Sequence, residues 1–167
     1  MATATTNASI RPVLARIKDI LDDYLDAGDV LNPTGTTRPV KLIEVGWPVA
    51  QLVHVNELPA VYIHMDSMEP TDEWTGAQMH SMTVTLSLIE NILDKSTSLD
   101  VVNDYVDELL SLVYKTHRKW KRAADSDLGI ATTQPGGVTI SPFDAADDHF
   151  LIQADITMLV QRQFDFY

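Results

Sequence analysis

The last eighteen residues, Phe150 to Tyr167, constrain the fold of this chain more than any other stretch. Phe150, Ile152, Ala154, Ile156, Met158, Val160, Phe164 and Phe166 fall on one face of an extended backbone. Gln153, Asp155, Thr157, Gln161, Gln163 and Asp165 fall on the other, and Leu151, Leu159 and Arg162 interrupt the pattern. Side chains alternate between the two faces of a strand, so this is the signature of a strand with one buried face. Strands of globular proteins run to roughly 5–6 residues. One this long is expected to bend between two sheets, or to run past its own domain and pair with something else.

Upstream, Ser9 caps a helix and Pro12 fits its first turn, where no intrahelical bond is lost. Ile10, Val13, Leu14, Ile17, Ile20, Leu21, Tyr24 and Leu25 recur at steps of three and four, which predicts an amphipathic helix over Ser9–Ala27, closed by Gly28. Its polar face carries Asp19, Asp22, Asp23 and Asp26. Acids near a helix C-terminus oppose the helix dipole, so this cluster stands against local preference. Leu31–Arg38 reads as a loop. Val40–Val45 and Val49–Val55 read as strands around Gly46-Trp47-Pro48, and Ala60–Met65 as a third. Asp66–Gln78 is predicted to be an acidic loop. In Met79–Ile89, Met82, Val84, Leu86 and Leu88 alternate with Ser81, Thr83, Thr85 and Ser87, a hydroxyl face offered to water or to a partner.

Thr97 or Ser98 caps a second helix, whose stripe is Leu99, Val102, Val106, Leu109 and Val113, widened by Tyr105 and Leu112. Ala124–Gly137 reads as a loop, Val138–Ile140 as a short strand and Ser141–His149 as the turn into the final strand. The order α-β-β-β-β-α-β-β groups strands rather than alternating them with helices. It predicts an α+β fold with a mixed, largely antiparallel sheet flanked by two amphipathic helices.

At 167 residues the chain is expected to form one α+β domain over residues 9–167, with an extended C-terminal strand, behind a flexible lead at 1–8. It contains no cysteine, which excludes disulfides, thiolate nucleophiles and cysteine-based zinc sites. No apolar run approaches the ~18 residues of a membrane span, and the first residues lack the pattern of a signal peptide, so a cytosolic product is expected. The formal charge is −12, which argues against a broad nucleic-acid interface. The exception is a basic run, Lys115, Arg118, Lys119, Lys121 and Arg122. It reads as a solvated helix end with favourable dipole terms, as a protein interface whose acidic counterpart is Asp19–Asp29 of a neighbouring copy, or as a small nucleic-acid contact.

Other constellations are each balanced by a plain structural reading. Asp144, Asp147, Asp148 and His149 have hard-metal chemistry, but their spacing is not that of a calcium loop, and a polar turn explains them equally well. His54, His64 and His80 have zinc chemistry and sit on or beside separate strands as ordinary sheet residues. No nucleophile elbow or phosphate-binding glycine loop is present, so neither catalysis nor a cofactor is expected. Trp74 and Trp120 read as core plugs or interface anchors, and Trp47 as part of a turn.

The layout from the capped helix at Ser9–Ala27, through strands near Val40–Ile89 and a helix at Leu99–Lys119, to a long strand ending Gln-Arg-Gln-Phe-Asp-Phe-Tyr resembles the tail terminator proteins of long-tailed bacteriophages. The resemblance covers nearly the whole chain and rests on layout, size, acidity and lack of cysteine. It implies a structural virion protein, not an enzyme, that forms a ring, usually of six copies, at the head-proximal end of the tail. The ring ends tube polymerisation and joins the tail to a head-side connector, with DNA passing through its lumen without specific binding. The partners implied are copies of the same chain, the tail tube protein and the connector. The location implied is the virion, and the host cytoplasm during assembly. On this reading Phe164, Phe166 and Tyr167 are spent on a neighbour. Another connector or tube-like neck protein is the alternative within that class, and a small cytosolic metal-binding or hydrolytic domain is the alternative outside it.

Overall fold

Helices α1 (Arg11–Asp26) and α2 (Ser98–Thr116) cover one face of a five-stranded sheet. The computed structural model describes residues 10–26, 40–49, 53–74, 77–91, 98–116, 119–120, 122–123, 126–143 and 151–165. The strands of the sheet are β1 (Leu42–Val45), β2 (Ala60–Trp74), β3 (Ala77–Asn91), β6 (Ile130–Phe143) and β7 (Leu151–Asp165). A small separate hairpin, β4 (Arg122–Ala123) and β5 (Ser126–Asp127), precedes β6. The sheet order is β1-β2-β3-β7-β6, with β1 and β2 parallel and every other neighbour antiparallel. The fold is therefore α+β with a mixed, largely antiparallel sheet, as the grouping of strands implies. Among the described residues, no helix is long and apolar enough to cross a membrane.

The core follows from the two periodicities. Val13, Ile17, Ile20 and Leu21 from α1, and Val102, Tyr105, Leu109, Leu112 and Val113 from α2, form single stripes. They meet Val61 and Ile63 of β2, Met82, Val84, Leu86 and Leu88 of β3, and Ala154, Ile156, Met158 and Val160 of β7. Both stripes thus share one sheet face. The opposite face has only a partial cover. The parallel connection from β1 to β2 crosses it at one end, where Leu42, Val53 and Leu58 pack on Ala60, Tyr62, Ile89 and Leu151.

Several expectations change. The long final strand neither bends nor leaves its domain. It lies inside the sheet, paired from Leu151 to Asp165 with β3 on one side and from Leu151 to Arg162 with β6 on the other. Its length is matched by equally long neighbours, and from Leu151 to Arg162 it offers no free edge. Its three irregular residues also find places: Leu151 enters the smaller cluster, Leu159 is exposed, and Arg162 is buried on the helix side with its Nε donating to the Leu128 carbonyl at 2.7 Å. The Asp66–Gln78 stretch is not a loop but mostly the far half of the β2–β3 hairpin. Irregularities in register at Asp66 and Thr71 absorb its awkward residues, next to Pro70.

Most of the predicted loop before Val138 is strand as well. Gly136 and Gly137 together oppose Thr157, forming a bulge that lets β6 continue through Pro135. Of the strand expected over Val49–Val55, residues 50–52 lie outside the described residues, and Val55–Glu57 is a 3-10 turn. The loop expected at Leu31–Arg38 also lies outside them.

Candidate functional site

The helix-free face of the sheet carries a polar network built from three strands. His64 of β2, Thr85 and Ser87 of β3, and Asp155 and Thr157 of β7 share this face because His64 pairs with Thr85, Thr85 with Thr157 and Ser87 with Asp155. His64 Nε2 lies 2.9 Å from Ser87 Oγ, and the Ser87 hydroxyl donates to Asp155 Oδ1 at 2.5 Å. The Gln153 amide donates to both oxygens of the same carboxylate, at 2.8 and 3.0 Å. On the other side of the imidazole, Nδ1 lies 3.0 Å from Asp66 Oδ1 without forming an aligned hydrogen bond. The Thr85 hydroxyl donates to Asp66. The indole of Trp47 stacks on His64 with ring centroids 4.1 Å apart and planes tilted by 30°. Trp47 itself is 58% exposed, whereas His64 is 5% exposed. Burial pushes the His64 pKa down, and nearby Asp66 and Asp155 oppose that shift.

An acid, a histidine and a serine in this order have the composition of a nucleophilic triad, but the geometry does not favour one. Ser87 is completely buried and its hydrogen is committed to Asp155, so Oγ has no approach for a substrate. The arrangement is a polar network drawn from three strands, satisfied at Ser87 and at His64 Nε2 and open at His64 Nδ1. The expected hydroxyl face is therefore divided. Ser81 and Thr83 are partly exposed, whereas Thr85 and Ser87 are sealed beneath His64 and its neighbours.

The three histidines do not converge. His54 is exposed on the β1–β2 connection. His80, in register with Arg162, stands on the helix side of β3, about 16 Å along the strand from the level of His64 at roughly 3.3 Å per residue. Among the described residues, no group of three histidine or acidic side chains is placed to hold a metal ion. Asp144, Asp147, Asp148 and His149 lie outside those residues.

Of the basic run, Lys119 reaches the last turns of α1 within one chain. Lys119 Nζ, beyond the end of α2, lies 5.6 Å from the centre of the Tyr24 ring and 3.5 Å from its hydroxyl. Asp22 pairs with Lys18 one turn away, while Asp19 and Asp23 are exposed. Lys115 is exposed in the last turn of α2. The side chains of Asp26 and Arg122 lie outside the described residues, as do Arg118 and Lys121 altogether. Trp120 is a core side chain, 1% exposed, which removes it from the candidate interface. Trp74 ends β2 and Phe164 pairs with Gln78 in β7, their side chains outside the described residues, and Phe166 and Tyr167 lie beyond them.

No family model matches this chain, and no curated protein matches its sequence.

Proposed function

We propose that the chain is a structural subunit that joins head to tail with copies of itself into a ring, set at the head-proximal end of a phage tail. There the ring ends tube growth and meets the head-side connector. The observation that carries this reading is a pair of open edges on opposite sides of one sheet. β6 ends the sheet on one side. On the other, β1 pairs with β2 only as far as Ile63, so β2 from His64 to Trp74 has no strand beyond it among the described residues. The run β2-β3-β7-β6 is antiparallel throughout, so β6 of one copy meets β2 of the next in antiparallel sense and continues the same alternation. A head-to-tail contact of this kind closes into a ring when its rotation divides a full turn, and main-chain hydrogen bonds supply the adhesion.

The composition of the edges supports the same reading. Solitary edge strands are commonly protected by charge. β6 has no charged residue from Ile130 to Phe143 and exposes Val138 and Ile140, at 39% and 38%. The helix-free face suits a bore. β2, β3 and β6 contain no lysine or arginine, and the one arginine of β7 points to the helices. Asp66, Glu69 and Asp155 on or beside that face would repel passing phosphates. Six copies, the virion location and assembly in the host cytoplasm follow from the resemblance in layout.

The test is capture on purified tail tubes that lack their terminator. The native chain should bind at one tube end, and a Val138→Lys, Ile140→Lys double variant should not. Binding along the whole tube would favour a tube-like role instead, and no binding by the native chain would remove the tail assignment.

A further inference from the structure

The hydrogen bonds around His64 have a fixed polarity. Ser87 spends its one hydrogen on Asp155, so the His64 nitrogen beside it, Nε2, must be the donor. In a neutral imidazole this leaves a lone pair on Nδ1. That lone pair faces Asp66 Oδ1 at 3.0 Å, and the other oxygen of Asp66 accepts from Thr85. Two acceptors thus oppose each other beside a ring that is buried from water. The groups around the ring are Asp66 from β2, Thr85 and Ser87 from β3, Asp155 with its partner Gln153 from β7, and the indole of Trp47 over its face.

We propose that His64 is a proton-operated latch for Trp47: the neutral ring seats the indole on the sheet, and a proton on Nδ1 turns the ring toward Asp66 and unseats it. A proton at Nδ1 converts two opposed acceptors into a charge-assisted hydrogen bond. The present contact is not an aligned hydrogen bond, so making that bond turns the imidazole, and turning it disturbs the stack with the indole. Trp47 is held lightly. It is more than half exposed, and beside it the Gly46 N–H bonds the Ile63 carbonyl at 3.0 Å. The imidazolium gains water as the indole lifts. Attraction between an imidazolium and an indole face works the other way, but it is the weaker interaction beside a charge-assisted hydrogen bond made at a buried ring nitrogen. Burial lowers the His64 pKa from its usual value, which places the closed state at neutral pH and the open state in acid.

The experiment follows Trp47 emission, isolated as the difference between the native chain and Trp47→Phe, from about pH 8 to about pH 4.5, while NMR reads the His64 ring nitrogens. Emission should move to the red on acidification with its midpoint at the His64 pKa, below about 6.5. The transition should vanish in His64→Gln, and Trp47→Ala should raise the His64 pKa, as reciprocal linkage requires. The latch is overturned if emission stays constant while His64 titrates, or if the two midpoints differ. It is equally overturned if the His64 pKa is unchanged or lower without the indole. Should His64→Gln fail to fold, the comparison of midpoints in the native chain decides.

Discussion

Gly129 sits at φ +68°, and a Cβ built there would lie 2.8 Å from the Gln163 carbonyl oxygen. The close approach is functional for the fold, because the Gly129 carbonyl accepts from the Gln163 N–H at 2.8 Å and so fixes the entry to β6 against β7. Left-handed backbone at a residue with a side chain costs about 1–3 kcal/mol. Gly129→Ala is expected to lose at least that much stability in urea unfolding, since the backbone clash adds to the strain. His64 makes a pH-dependent contribution. Its folded-state pKa is lowered, so the folded chain binds its proton less readily than the unfolded chain. The contribution of the neutral ring is therefore complete above about pH 6.5 and is lost as pH falls through the folded value. Thermal melts should show a smaller loss between neutral and mildly acid pH for His64→Gln than for the native chain. Neither role could be read from sequence, where His64 stands out only as one of three histidines with zinc chemistry. Gly129 lies in a stretch whose composition reads as loop, and the neighbours that seal His64 come from strands 23 and 91 positions away, Ser87 and Asp155.

The elements were legible where one periodicity held over many residues. The stripes of α1 and α2 predict both helices, and the alternation in β3 and β7 predicts which side chains enter the core. Alternation reports the faces of a strand and not its neighbours, so the position of β7 inside the sheet could not be read. β6 was hidden for a local reason. Pro135, Gly136 and Gly137 are loop residues by composition, but Thr157 holds the bulge they form, accepting from the Gly137 N–H at 2.9 Å and donating to the Gly137 carbonyl at 3.0 Å. Thr157→Val keeps the shape and removes both bonds. It should cost about 1–3 kcal/mol, two bonds at about 0.5–1.5 kcal/mol each. It should also speed amide exchange at Gly137 while leaving the amides of Leu86 and Ile156 protected.

At the scale of the whole molecule, both helices lie on one side of the sheet, and the strands β2, β3 and β6 bring no lysine or arginine to the other. Among the described residues, two open edges bound that sheet. The net charge of −12 was visible in the sequence, but its distribution was not: Lys119, just beyond α2, lies against Tyr24 near the acidic end of α1 in the same chain. The account places adhesion at the edges β6 and β2. Native mass spectrometry of the chain over a range of concentrations, beside the Val138→Lys, Ile140→Lys variant, tests this most directly. The account predicts a closed assembly of fixed copy number for the native chain and a folded monomer for the variant. A native chain that stays monomeric at every concentration, or a variant that assembles as the native chain does, would contradict it.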